Sequence, residues 1–69
     1  MIEENGIVIV YGVYFMKFDP SAQEWYEDIS TLELYLRRPF AEKRLEEMKT
    51  EIPEDAKWNL CFAKYEVKW

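Results

Sequence analysis

The run at residues 7–18, Ile-Val-Ile-Val-Tyr-Gly-Val-Tyr-Phe-Met-Lys-Phe, constrains what this chain can fold into more than any other feature. Its β-branched and aromatic residues favour extended backbone, and apolar side chains fall at odd and even positions alike. A strand with one face in water alternates apolar with polar, and this one does not. It predicts a central strand, apolar on both faces. The rest of the chain must therefore supply neighbours on either side and cover above or below.

The first neighbour follows a turn. In the segment Asp19, Pro20, Ser21, Ala22, Gln23 the proline presets φ for the second position of a turn, and the Asp19 carboxylate can accept from the backbone just beyond it. The chain then returns from Glu24, and Leu32, Leu34 and Leu36 alternate with Thr31, Glu33 and Tyr35 in the period of two expected of a strand. A second strand reaching Leu36 is expected. Residues 28–30 have weak strand propensity, which predicts a bulge or a break there.

A helix comes next. Pro39 suits the first helical turn, where a missing N–H costs little, and Ala41, Leu45, Met48 and Ile52 fall on one apolar stripe. Glu42, Lys43, Arg44, Glu46, Glu47, Lys49 and Glu51 occupy the other faces, a pattern for water and not for a membrane. Pro53 is the stop signal. Residues 57–69 carry Trp58, Leu60, Phe62, Tyr65, Val67 and Trp69 without Gly or Pro, and predict a third strand.

These elements give an α+β domain of order β-β-α-β. The crossover through the helix places the third strand parallel to the second and on the far side of the first. The prediction is a three-stranded antiparallel sheet of order 2-1-3 with one helix packed on one face. If Ile7, Ile9, Val13 and Phe15 face the helix, then Val8, Val10, Tyr14, Met16 and Phe18 share the opposite face, which no remaining element covers; the sequence leaves the parity open. Exposed apolar patches beyond a few hundred Å² mark interaction sites. Val8, Val10, Tyr14, Met16 and Phe18 are accordingly the candidate protein-interface residues.

Sixty-nine residues allow one core, so residues 1–69 are read as a single domain, with 1–6 the segment most prone to disorder. No apolar run is long enough to span a bilayer, and the start Met1, Ile2, Glu3, Glu4, Asn5 is acidic where a signal peptide is basic. With a single cysteine, Cys61, and no internal disulfide possible, a cytoplasmic location is expected. A net charge of −5 disfavours nucleic acid and anionic lipid and is compatible with a basic protein surface as partner.

Catalytic groups are sparse. Histidine is absent, which removes imidazole acid–base chemistry and the serine and cysteine triads. Cys61 lies within an apolar strand and reads as a small buried side chain. The carboxylate pairs Glu27-Asp28, Glu46-Glu47 and Glu54-Asp55 read as solvated, the first because adjacent strand residues point to opposite faces. Neither Gly6 nor Gly12 belongs to a phosphate-cradling loop. No enzyme activity, metal or cofactor is expected. The many aromatics lack the accompanying basic residues of a single-strand nucleic-acid platform, and fit core packing and a protein interface better.

Residues 33–49, Glu-Leu-Tyr-Leu-Arg-Arg-Pro-Phe-Ala-Glu-Lys-Arg-Leu-Glu-Glu-Met-Lys, framed by an aromatic strand on either side, resemble small uncharacterised proteins encoded by bacteriophages and mobile elements. In size, acidity and lack of catalytic groups the chain resembles phage-encoded host-takeover and anti-defence inhibitors, including anti-CRISPR proteins. That resemblance implies a noncatalytic inhibitor or modulator that occupies a surface of a host protein. It carries over no functional residue, and Lys43, Arg44 and Lys49 interrupt the helix carboxylates where a strict DNA mimic would not. The alternative is a structural or regulatory homodimer in which two open sheet faces pack together.

Overall fold

The computed structural model describes residues 6–68. Strand β1 runs over Ile7–Asp19, β2 over Glu24–Tyr35, helix α1 over Arg38–Lys49 and β3 over Trp58–Lys68. The sheet order is β2-β1-β3, with β1 central and antiparallel to both neighbours. The expected α+β architecture and its topology are both present. Of the segment 1–6 expected to be prone to disorder, residues 1–5 lie outside the described residues, as does residue 69 at the end of the expected third strand.

The hairpin between β1 and β2 closes as its residues dictate. Asp19 Oδ1 accepts from the Ser21 backbone at 3.0 Å and from the Ser21 hydroxyl at 2.7 Å, and the Gln23 N–H donates to Asp19 O at 2.7 Å. The Ser21 hydroxyl, followed by the Ala22 and Ser21 N–H groups, holds the Asp19 carboxyl below its ordinary range. Gln23 takes a left-handed φ of 58°, the backbone twist that turns the chain into β2.

The expected irregularity in β2 is a large bulge. Val13 pairs with Glu33 and Phe15 with Asp28, so two steps along β1 match five along β2. The Phe15 N–H donates to Thr31 Oγ1 at 2.9 Å, and Thr31 Oγ1 in turn donates to Asp28 O at 2.6 Å. A side-chain hydroxyl thus replaces the missing ladder partner of the Phe15 N–H. Because the slip is odd, residues of opposite parity face the same way on its two sides.

Helix α1 begins with Pro39 in its first turn and ends at Lys49. A proline ring clashes with the carbonyl four residues earlier, and for Pro53 that residue is Lys49. The Thr50 N–H and hydroxyl both donate to Glu47 O, at 3.1 and 2.7 Å, closing the last turn tightly. Ala41 and Met48 are buried, and Leu45 and Ile52 pack beside them although Ile52 lies past the helix end. β2 stops at Tyr35, one residue short of the expected Leu36, which is exposed.

The parity left open by the sequence is settled here. Val13 and Phe15 of β1 form the core with Ala41 and Met48, ringed by Tyr11, Tyr35, Leu45, Ile52, Trp58, Leu60 and Phe62. Phe15 meets Trp58 with ring centroids 5.0 Å apart, and Tyr11 meets Phe62 at 5.9 Å. Even-numbered residues of β1 therefore face away from the helix. Arg44 ties helix to sheet: its Nε donates to Glu33 Oε1 at 2.9 Å and its Nη1 to Glu51 Oε2 at 2.7 Å, while the Tyr35 hydroxyl donates to Glu33 Oε1 at 2.8 Å. The Arg44 guanidinium, and secondarily the Tyr35 hydroxyl, hold the Glu33 carboxyl below its ordinary range.

Candidate functional site

Val8, Val10, Tyr14, Met16 and Phe18 all lie on the helix-free face, as alternation from Val13 and Phe15 requires. As the central strand of the sheet, β1 is flanked on both sides. Tyr14 is buried and the other four are half-buried by side chains from β2 and β3. On this face the apolar surface that meets solvent belongs chiefly to those flanking strands, at residues not singled out from the sequence: Leu34 is 57% exposed, Val67 45%, Trp25 43% and Tyr65 39%. The signal was available in the pairing. Once the order 2-1-3 is accepted, each helix-free residue of β1 names its neighbours: Val8 faces Val67, Val10 faces Tyr65, Gly12 faces Leu34 and Ala63, Tyr14 faces Cys61, and Phe18 faces Trp25.

Gly12 shapes the middle of this face. A Cβ there would lie 2.8 Å from Tyr65 Cε2, 3.0 Å from Leu32 Cδ1 and 3.3 Å from Leu34 Cδ2. The missing side chain lets the Tyr65 ring and the two leucines lean over the central strand. Beside them Val10, Leu32, Leu34, Tyr65 and Val67, with Glu66 at the rim, line an open depression of about 420 Å³. Phe18 and Trp25 extend the apolar surface at the hairpin end, ring centroids 5.6 Å apart.

Charge is nearly absent from the face. Among the described residues that the strand register places on it, Glu27, opposite Met16, is the only charged one. The Tyr14 hydroxyl donates to Glu27 Oε2 at 2.7 Å, and this hydrogen bond, with burial second, pushes the phenol well above its ordinary value of 10.0. Lys57 reaches the rim, its Nζ 4.9 Å from the centre of the Phe18 ring. Charged residues of the two outer strands sit on the helix side instead: Glu33 opposite Val13, and Lys64, Glu66 and Lys68 opposite Tyr11, Ile9 and Ile7.

The adjacent carboxylates of β2 separate as expected from alternation. Glu27 serves Tyr14 on the open face, whereas Asp28 pairs with Lys17 Nζ at 2.7 Å on the helix side. The Lys17 ammonium, with the Ser30 hydroxyl second, holds the Asp28 carboxyl below its ordinary range. Glu46, Glu47, Glu54 and Asp55 are exposed. Cys61 is half-buried and lies across from Tyr14 on the open face. Among the described residues no three His, Cys, Asp or Glu side chains gather as a metal site, and no helix is long and apolar enough to cross a membrane.

Comparison with protein-family models, with curated proteins and with solved structures finds no match for this chain.

Proposed function

We propose that this chain is a noncatalytic protein-binding module whose contact surface is the helix-free face of its sheet. The observation that carries the reading is the direction of alternation on the outer strands. A half-covered sheet normally turns apolar residues toward its helix and polar ones toward water. Here Leu34, Tyr65 and Val67 point away from the helix while Glu33, Lys64 and Glu66 share its side. In an isolated chain that pattern leaves apolar area in water with no compensating burial, and a second polypeptide supplies it. The noncatalytic part rests on the absence of histidine and on the work done by the three carboxylates held low, Asp19, Asp28 and Glu33, each engaged in a turn or an ion pair.

Two forms of this reading differ in the polypeptide that is bound. In the first, the chain is a phage-type inhibitor or modulator of a host protein, acting in the cytoplasm by occupying a surface. The resemblance of residues 33–49 and the net charge of −5 support it. In the second, the chain is a homodimer, and the lack of charge on the face supports that. Both make the same first test. Val10→Lys and Leu34→Lys, checked for folding by circular dichroism, should lose association with any polypeptide retained from host lysate or with the chain itself. Lys43→Glu, on the exposed side of the helix, should keep it. Association that survives both sheet-face substitutions would contradict the reading.

A further inference from the structure

We infer that the occupant of the helix-free face is a second copy of this chain, packed sheet against sheet about a two-fold axis; the inference rests on the reading of that face as the contact surface. Three observations lead there.

The first is area. β1 spans 13 residues, about 40 Å at the rise of a strand, and three strands are about 14 Å across, so the face offers on the order of 600 Å². Two copies would bury on the order of 1,200 Å² together, the lower bound of stable, specific interfaces. The radius of gyration, 14.6 Å, points the same way, since a compact chain of this length has about 11 Å. A slab 47 × 25 × 13 Å is long and thin, and a face-to-face pair is thicker and proportionately more compact.

Charge is the second. Each copy carries −5, which opposes association of like chains through most surfaces. Among the described residues the strand register places only Glu27 as a charge within the sheet face, and it is already hydrogen-bonded to Tyr14, while Glu66 and Lys57 stand at the rim. Stacked sheets lie about 10 Å apart and each helix about 10 Å further out, so the charged helix layers would be about 30 Å from one another, beyond a Debye length of about 8 Å. A different protein, by contrast, would find little charge on this face with which to be selected.

The third is shape. Gly12 lets Tyr65, Leu32 and Leu34 lie over the middle of the sheet, and the same three side chains, with Val10, Val67 and Glu66, wall the depression there. An isologous interface is self-complementary, and an open apolar recess near the middle of the patch gives each copy a place to receive side chains of the other.

The test is sedimentation of the full chain over a concentration series, read together with alkylation of Cys61, the sole thiol and itself on this face. Area alone does not fix affinity, so the concentration series runs from about 0.1 to about 1,000 μM. The parent should move from the chain mass of 8.4 kDa to twice that value across this range, and Cys61 should react with iodoacetamide several-fold more slowly at the high end than at the low. Leu34→Lys should stay at the chain mass and lose the concentration dependence of alkylation. If Leu34→Lys fails to fold, the parent's own alkylation series still decides. A parent that remains monomeric with concentration-independent alkylation overturns the second-copy assignment. In that case, loss of binding to another protein in Val10→Lys would leave the binding-module reading standing, and retention of that binding would remove both.

Discussion

Tyr14 is where the helix-free face meets the chemistry of single residues. Its ring is 7% exposed and its hydroxyl donates to the Glu27 carboxylate, which stabilises the protonated phenol. The folded chain therefore keeps a proton that the unfolded chain releases near the ordinary value of 10.0. Stability from this group is complete below pH 10 and is lost as pH rises toward the folded value. Tyr35, raised chiefly by its hydrogen bond to Glu33, acts in the same sense. Urea midpoints measured from pH 7 to 11 should fall above pH 10 in the parent. Tyr14→Phe should start lower at pH 7 by about 1 kcal/mol and fall less steeply above pH 10. An alkaline slope identical in both proteins would mean that the bond is not made in solution. Gly12 shows the same face from the opposite side of residue chemistry, since what matters there is an absent atom. A Cβ 2.8 Å from the Tyr65 ring would push that side chain off the central strand.

At the scale of elements, the helix carries the clearest stability argument. Met48 is 1% exposed and touches the Val13–Phe15 core, whereas Leu45 is half-buried at its side. Met48→Ala should cost about 2–5 kcal/mol, and Leu45→Ala about half as much. Denaturation midpoints check both, and equal costs would mean that the helix sits on the sheet in another rotation. Much of this element was legible beforehand because the 3.6-residue period of Ala41, Leu45, Met48 and Ile52 has one reading. The turn at Asp19 was legible for a similar reason, each residue type having a defined local role. The bulge was legible as a weakness around residues 28–30, but its size was not. Residue 31 supplies the hydroxyl that satisfies Phe15, and a three-dimensional partner of that kind leaves no periodic trace. The contact face was half legible: β1 announced that both its faces are apolar, while the exposed part of the patch lies on β2 and β3, reachable only through the pairing register.

For the whole molecule the consequence is a slab with two unlike sides. A 12-residue helix is about 18 Å long and covers less than half of a sheet about 40 Å long. Beyond the helix the covered side turns polar, with Lys64, Glu66 and Lys68 facing water, and the uncovered side stays apolar with Tyr65 and Val67. This geometry also selects the most informative site of substitution. Ile9 has the helix-side parity, but it lies opposite Glu66 and is half-buried, so a lysine there would find a carboxylate and water. Val13, with no exposure at all, is the position where parity is decisive. The most direct test of the account is therefore thermal melting of Val13→Lys beside Leu34→Lys, followed by far-UV circular dichroism at a concentration well below that of association. Burying an unpaired ammonium at Val13 should leave that variant unfolded at 25 °C, and Leu34→Lys should melt cooperatively within a few degrees of the equally dilute parent. Loss of the cooperative transition in both variants, or its retention in both, would contradict a chain with its core on one side of the sheet and its contact surface on the other.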